Sequence, residues 1–357
     1  MLAQAAGSTA ARSSTEITLY TSGRDGVVGL VDGANWRWAH TAMELAGFEK
    51  TADGNKAVSL SDPDRAREVL LTLGVVAQLA GVTVHASSET YVGDFARDIV
   101  EHLPGRWTVS VENYAMKVWQ GDLADCLWNT GHVASTLANH RVARAAILRR
   151  DDGAELAVLR DPRRDLHHVG ALHPRDIAPD GLVTPPPGVT VQPTPSTAAD
   201  VIRTRLLPAY TRAVLHCRVN SLEEDLPWTR EAYEAGTIPE PPPADLVDSF
   251  ARFTTAAPHV TAAVRALVQL NEHEVAVLRE VDDIIGAPDA DTKAPPALPH
   301  DDPLAWWLLE GGEGLIDLAQ RAVADSEPHA AKASRALPSP PALPPAPARA
   351  STPAPRP

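Results

Sequence analysis

The chain has 357 residues, of which 44% are hydrophobic, and a formal net charge of −14 at pH 7. The apolar content is sufficient for a buried core, and no stretch reaches the roughly 18 apolar residues that a membrane crossing needs. Residues 221–331 carry a net charge of −16, which repels the phosphate backbone of nucleic acid, so such contact is expected only in the first 220 residues.

The two cysteines bear on the redox state of the compartment in which the protein is expected. Cys126 and Cys217 stand far apart in the sequence and belong to no short motif. This pattern is typical of proteins kept in a reducing compartment. The first residues also lack the apolar run of a secretion signal. We therefore expect a cytoplasmic protein with no membrane contact.

Strands and helices alternate through the first half of the chain, after residues 1–14, which are predicted to be disordered. Strands are predicted at 17–22, 27–32, 82–87, 107–114 and 166–174, and helices at 36–46, 62–80, 93–103 and 121–140. A hairpin is predicted at 142–160, with its turn at Asp152-Gly153. Asn35 and Asp62 are the expected N-caps of the first two helices. The alternation predicts an α/β or α+β domain over 15–178, with strand 82–87 pairing in parallel after a helical crossover.

The second half is predicted to be helical and acidic. A proline-rich linker at 179–196 precedes an acidic helical domain at 197–286. Its helices are predicted at 197–219, about 229–236, 244–256 and 258–286. Seven positions from Val264 to Ile285 step by four and three, as in a heptad seam, but Asn271 and Asp282 interrupt the seam and it is too short for a coiled coil. A linker at 287–302, an amphipathic helical segment at 303–326 and a disordered Pro- and Ala-rich tail at 327–357 complete the chain.

Asp32 is the first candidate catalytic residue, because it ends the predicted strand 27–32. Asp94 and Asp98 follow on one face of the predicted helix 93–103. The stretch LVDGAN resembles the opening motif of PIN/NYN-type metal-dependent nucleases, in which an aspartate after the first strand helps to hold a divalent ion. The resemblance implies a phosphodiesterase or nuclease in which these three carboxylates bind Mg²⁺ and activate water. In the alternative, structural interpretation, Asp32 begins a turn and Asp94 stabilises a helix N-terminus.

The predicted hairpin is rich in arginine. Seven arginines lie between residues 141 and 164: Arg141, Arg144, Arg149, Arg150, Arg160, Arg163 and Arg164. Because a two-stranded ribbon can enter a major groove and arginines neutralise phosphates, the hairpin is a candidate nucleic-acid interface. Acidic residues are interleaved with the arginines, so the competing interpretation is a solvated hairpin of mixed charge.

Tryptophans form a second group of candidates. Trp306, Trp307, Leu308 and Leu309 form a short apolar segment that is expected to dock on a partner or on the chain itself. The earlier tryptophans are predicted to be core residues: Trp36, Trp38, Trp107, Trp119 and Trp128.

Catalytic motifs are absent from the sequence. It contains no phosphate-binding glycine loop, zinc-ligand spacing or nucleophile elbow. The primary hypothesis is therefore a non-enzymatic cytoplasmic binding or regulatory protein that acts through protein–protein contacts, without a cofactor. The metal-dependent nuclease and the nucleic-acid-binding hairpin are the two alternatives.

Overall fold

The computed structural model describes residues 15–128, 131–175, 177, 181–234, 244–285, 307 and 311–325. Within these ranges, two five-stranded sheets and their covering helices are followed by a group of helices. The predicted mixed α/β or α+β class followed by helices is confirmed. No helix in the described part of the chain combines the length and apolarity of a membrane span.

The first sheet is built around a hairpin. Its strands are β1 (Thr15–Ser22), β2 (Gly26–Asp32), β3 (Glu49–Lys50), β4 (Lys56–Val58) and β5 (Val82–Ala86). They lie in the order β3-β4-β2-β1-β5, and only β5 is parallel to its neighbour, β1. Helices α1 (Trp36–Ala46) and α2 (Pro63–Leu79) cover one face, and α2 is the predicted crossover that leads into β5.

The ends of α1 and α2 show which cap predictions hold. The Asp62 side chain accepts a hydrogen bond from the Arg65 backbone N–H at 3.1 Å, so the predicted cap of α2 is confirmed. Asn35 is the N-cap residue of α1, as predicted, but its side chain makes no capping hydrogen bond, so that part of the prediction is wrong. Instead the Asn35 backbone N–H donates to Thr15 Oγ1 at 2.9 Å, so the start of α1 is held by β1.

The second sheet is an antiparallel meander. Its strands β6 (Trp107–Asn113), β7 (Arg144–Arg150), β8 (Glu155–Arg160), β9 (His167–Ala171) and β10 (Val189–Val191) pair in chain order. The hairpin turn is where the sequence predicted it, and Gly153 supplies the positive φ of 89°. The structure differs from the linker prediction at 179–196, because β10 lies inside that segment and pairs with β9.

Helices cover both faces of the second sheet. Helix α3 (Val92–Val100) packs on one face, and α4 (Gln120–Cys126) and α5 (His132–Asn139) pack on the other. The single predicted helix at 121–140 is therefore wrong. Gly131, with a φ of 111°, lies between the two helices that replace it. The apolar core between α3 and β7–β9 also contains Tyr20 and Val28 of the first sheet, so the two sheets share one core.

The remaining helices form a second core. Helix α6 (Pro195–Val201) continues through a π-helical turn at 202–206 into α7 (Leu207–Glu234), followed by α8 (Ala244–Leu267), α9 (Glu272–Ile285) and α10 (Gly312–Asp325). The gaps predicted at 220–228 and at 257 are wrong, because α7 and α8 continue through them. The single helix predicted at 258–286, which carried the heptad seam, is also wrong, since α8 ends at Leu267 and α9 begins at Glu272. Asn271 caps the second of them by exchanging hydrogen bonds with Glu274 at 2.8 and 3.0 Å.

His167 makes the stability of the second sheet sensitive to acid. It is 2% exposed on β9, stacks on Phe95 at a centroid distance of 3.9 Å, and neither ring nitrogen has a hydrogen-bond partner among the described residues. Burial, assisted by the positive charge of Arg160, lowers the pKa of His167 from 6.5 to about 4. The unfolded chain therefore binds a proton at a pH where the folded chain does not. The contribution of neutral His167 to the unfolding free energy is complete above pH 6.5 and is lost as the pH falls towards 4.

We expect His167 to cost about 3 kcal/mol of unfolding free energy between pH 6.5 and 4, since one pKa unit corresponds to about 1.4 kcal/mol. Urea unfolding across this range should show a loss of at least that size in the wild type. In His167→Leu the loss should be smaller by about 3 kcal/mol, and the remainder comes from groups such as His168, whose pKa burial also lowers. The exposed His102 provides the control, because His102→Leu should keep the wild-type slope. An unchanged slope in His167→Leu would contradict the assignment.

Candidate functional site

The three predicted metal-binding carboxylates do not meet. Asp32 lies opposite Glu16 at one end of the β1–β2 hairpin. Asp94 lies at the other end, where it accepts hydrogen bonds from Ser22 Oγ and the Gly23 N–H, both at 2.8 Å. Six residue steps along a strand separate these ends by about 20 Å. One Mg²⁺ ion therefore cannot bind Asp32 and Asp94 together in this arrangement.

Each of the three carboxylates has a structural partner instead. Arg141 contacts Asp32 at 2.6 Å, Arg97 contacts Asp94 at 3.1 Å, and Arg24 contacts Asp98 at 3.0 Å. Across the residues that the structure describes, no three His, Cys, Asp or Glu side chains are grouped as a metal ion would require. The arrangement differs from the one that the resemblance to PIN/NYN-type nucleases implies.

An arginine-lined cavity lies where the ends of β7 and β8 approach Asp32. Its volume is about 470 Å³, a size typical of small-ligand sites. Five of the seven predicted arginines line it: Arg141, Arg144, Arg160, Arg163 and Arg164. Four acidic residues also line it: Asp32, Glu89, Asp161 and Asp165. The fold thus collects positive charge from β7, from β8 and from the loop after β8.

Three of these arginines are held by partners in the chain. Arg141 pairs with Asp32 and also donates to the Val142 carbonyl at 2.8 Å. Arg144 approaches Glu89 at 3.5 Å and lies 4.4 Å from the centre of the Tyr20 ring. Arg160 pairs with Glu89 and with Asp165. These ion pairs form the cavity wall and neutralise most of the positive charge of the three arginines.

Arg163 and Arg164 differ from the other three. Both are exposed, and neither guanidinium makes an ion pair or hydrogen bond within the described part of the chain. Their loop is nevertheless well defined, because Asp161 Oδ1 accepts from the backbone N–H groups of Arg163 and Arg164 at 2.7 and 3.1 Å. The loop closes with the Asp161 N–H donating to the Leu166 carbonyl at 2.9 Å. Two free cations are thus held at the mouth of the cavity.

A buried histidine supports this loop. His168 on β9 contacts Asp161 Oδ2 at 3.1 Å through Nε2 and Thr190 at 2.9 Å through Nδ1. Hydrogen bonds from Arg163, His168 and Arg164 lower the pKa of Asp161, whereas burial lowers the pKa of His168. Near neutral pH, Asp161 is therefore an anion that accepts hydrogen bonds, and His168 is neutral. A smaller cavity of about 220 Å³ adjoins the same loop.

The other two arginines lie at the opposite end of the hairpin. Arg149 pairs with Glu155 at 3.2 Å, and Arg150 pairs with Asp152 and lies over the Trp107 ring. Moreover, β7 and β8 are inner strands with buried centres, flanked by β6 and β9. They cannot form the free two-stranded ribbon that the arginine pattern predicted, because helices cover both faces of this sheet.

Trp307 is a core residue of the helical group. It is fully buried and stacks on Phe253, with ring centroids 3.9 Å apart and planes at 17°. A Cβ on Gly312 would lie 2.4 Å from the Trp307 carbonyl oxygen, so a glycine is required there. Trp307 is therefore not available on the surface to a partner. Trp306, Leu308 and Leu309 lie outside the described residues, as does the Pro-rich tail.

The sequence contained a signal for the loop that the prediction missed. In DPRRD (161–165), an aspartate is followed by a proline and two arginines. The aspartate side chain can accept hydrogen bonds from the backbone N–H groups of those arginines. The predicted arginine-rich hairpin at 141–164 includes Arg163 and Arg164, whereas in the structure they occupy the loop after β8. No protein-family model, curated protein or solved structure matches this chain, so only its own residues bear on what the cavity binds.

Proposed function

We propose that this chain is a non-enzymatic cytoplasmic binding protein whose arginine-lined cavity takes a carboxylate or phosphate group of a protein partner. The observation that carries the proposal is the pair of unpaired guanidiniums, Arg163 and Arg164, on one closed loop at the cavity mouth. A guanidinium matches both oxyanions with paired hydrogen bonds. Because the loop is already ordered, little conformational entropy is lost when the anion binds.

The charge distribution favours a short anionic segment over a long polyanion. The chain as a whole carries −14, with the excess in the helical region, so a nucleic acid extending beyond the cavity meets repulsion. An acidic or phosphorylated peptide is short enough to place one oxyanion on the loop without approaching the negatively charged helical region. Cys126 is exposed, Cys217 is buried and neither forms a disulfide with a described residue, which fits a reducing compartment.

The test compares two double variants that change the net charge equally. Arg163→Ala/Arg164→Ala removes the free pair, and Arg65→Ala/Arg67→Ala removes two exposed arginines from α2. The probes are fluorescein-labelled hexaglutamate, a phosphoserine peptide of the same length and a short single-stranded oligonucleotide. Fluorescence anisotropy reports binding, and the two peptides distinguish carboxylate from phosphate.

We expect at least one peptide to bind, and the loop variant to weaken it about 10-fold or more, because hydrogen bonds to charged groups contribute about 1.5–3 kcal/mol. The α2 variant should bind as the wild type does. Equal weakening in both variants would show a general charge effect and contradict the proposal. Absence of binding to both peptides, or tighter binding of the oligonucleotide, would also contradict it.

A further inference from the structure

An exposed apolar surface on α1 and α2 has no role in the cavity. Five large apolar side chains form this α1–α2 patch: Trp38 at 64% exposure, Leu45 at 69%, Leu71 at 67%, Val75 at 61% and Leu79 at 84%. The core prediction for Trp38 is therefore wrong. Helix α1 buries Ala39, Ala42, Met43 and Ala46 against the sheet instead. Within the described ranges, nothing covers the five side chains.

Helix α2 presents a face suited to a second helix. Leu71, Val75 and Leu79 follow one another at i, i+4 and i+8, so they form one stripe on the side opposite the buried Ala66, Val69, Leu73 and Ala77. The charged residues of α2 all precede this stripe: Asp64, Arg65, Arg67 and Glu68. The exposed C-terminal half of the helix is therefore uncharged, which is typical of the centre of an interface.

Gly74 lies beside the stripe and removes a barrier to close approach. It is exposed, and a Cβ placed on it would meet no atom within 4 Å, so this chain's own packing does not require a glycine there. Glycine inside a helix is unfavourable relative to alanine. The absence of a side chain next to Val75 allows the backbone of another helix to approach.

We propose that the α1–α2 patch is the interface of a homodimer, with a two-fold axis passing through α2 near Val75. Leu71 and Leu79 lie four residues on either side of Val75. In an antiparallel crossing, Leu71 therefore faces Leu79 of the partner subunit, and Val75 faces its own copy. A stripe that is symmetric about its centre is self-complementary, as a two-fold interface requires.

The area supports a second copy as the occupant. The five side chains expose roughly 600 Å² of mainly apolar surface, at the upper limit for a patch on a typical monomer. Stable dimers bury about 800 Å² per partner, so the patch with its polar rim reaches the required size. The surface differs from the arginine cavity, and dimerisation is therefore independent of the proposed ligand.

The first test measures the mass of the full chain in solution by light scattering and sedimentation. We expect the wild type to have twice the chain mass of 38.0 kDa. Val75→Asp should weaken association about 100-fold or more, because like charges facing each other cost several kcal/mol. Val118, which is 72% exposed outside the patch, provides the matched control. Val118→Asp should remain dimeric.

A cross-link tests the position of the axis. In a Cys126→Ser background, Val75→Cys places two thiols on the axis and should give an intermolecular disulfide on oxidation. Val118→Cys in the same background should not. A wild type that is monomeric at every concentration, a Val75→Asp variant that remains dimeric, or equal cross-linking at both positions would overturn the proposal.

Discussion

Trp307→Ala is expected to destabilise the helical group by about 3–5 kcal/mol, the usual cost of truncating a buried aromatic side chain to alanine. The indole ring is fully buried and stacks on Phe253 at 3.9 Å. Removing it leaves a cavity in the core that α7, α8, α9 and α10 form together. The loss of stacking adds to the loss of buried area. Urea unfolding followed by helical circular dichroism should show the reduced midpoint.

Trp228 is the matched control for this prediction. It lies on α7 in the same helical group but is 47% exposed. Trp228→Ala should therefore change the unfolding free energy by less than about 1 kcal/mol. Gly312→Ala should lower stability in the same direction as Trp307→Ala, because its Cβ would lie 2.4 Å from the Trp307 carbonyl oxygen. Similar losses in both tryptophan variants would contradict the assignment of Trp307 to the core.

Arg97→Ala is expected to cost about 3–5 kcal/mol, because it leaves a buried carboxylate without its cation. Arg97 binds Asp53 at 2.7 Å, Asp25 at 2.8 Å and Asp94 at 3.1 Å. The Asp53 side chain is only 2% exposed, so water cannot replace the lost charge. This arginine joins α3 to the β1–β2 turn and to the loop before β4. Its removal should therefore destabilise the first sheet.

Arg24→Ala is the control for the buried cluster. Arg24 pairs with Asp98 and Glu101, but its side chain is 43% exposed. We expect a change below about 1 kcal/mol, the usual value for exposed ion pairs. Adding Asp53→Asn to Arg97→Ala should recover part of the loss, because the unpaired charge is then absent. Urea unfolding of the four proteins would contradict the prediction if Arg24→Ala and Arg97→Ala lost equal stability.

The positions of the candidate site residues were harder to predict from the sequence than the strands and helices. The arginine cluster was visible in the sequence, but five of its members line one cavity and two lie at the far end of the hairpin. The difference arises because β7 and β8 are inner strands whose ends are about 20 Å apart. Asp32 and Asp94 are apart for a similar reason. They lie at opposite ends of the β1–β2 hairpin, too far from each other to bind one ion.

Local elements depend on interactions between near neighbours in the chain, so they can be predicted from the sequence alone. The Asp62 cap, the Asp152-Gly153 turn, most of the strands and the order of helices follow from capping, turn chemistry and apolar periodicity. Contacts between residues that are far apart in the sequence depend on how the elements pack in three dimensions. Examples are Asp32 with Arg141 and Phe253 with Trp307. Tertiary packing also decides that Trp38 is exposed while Trp307 is buried. Periodicity identifies an apolar side chain, but only the packing of neighbouring elements determines whether anything covers it.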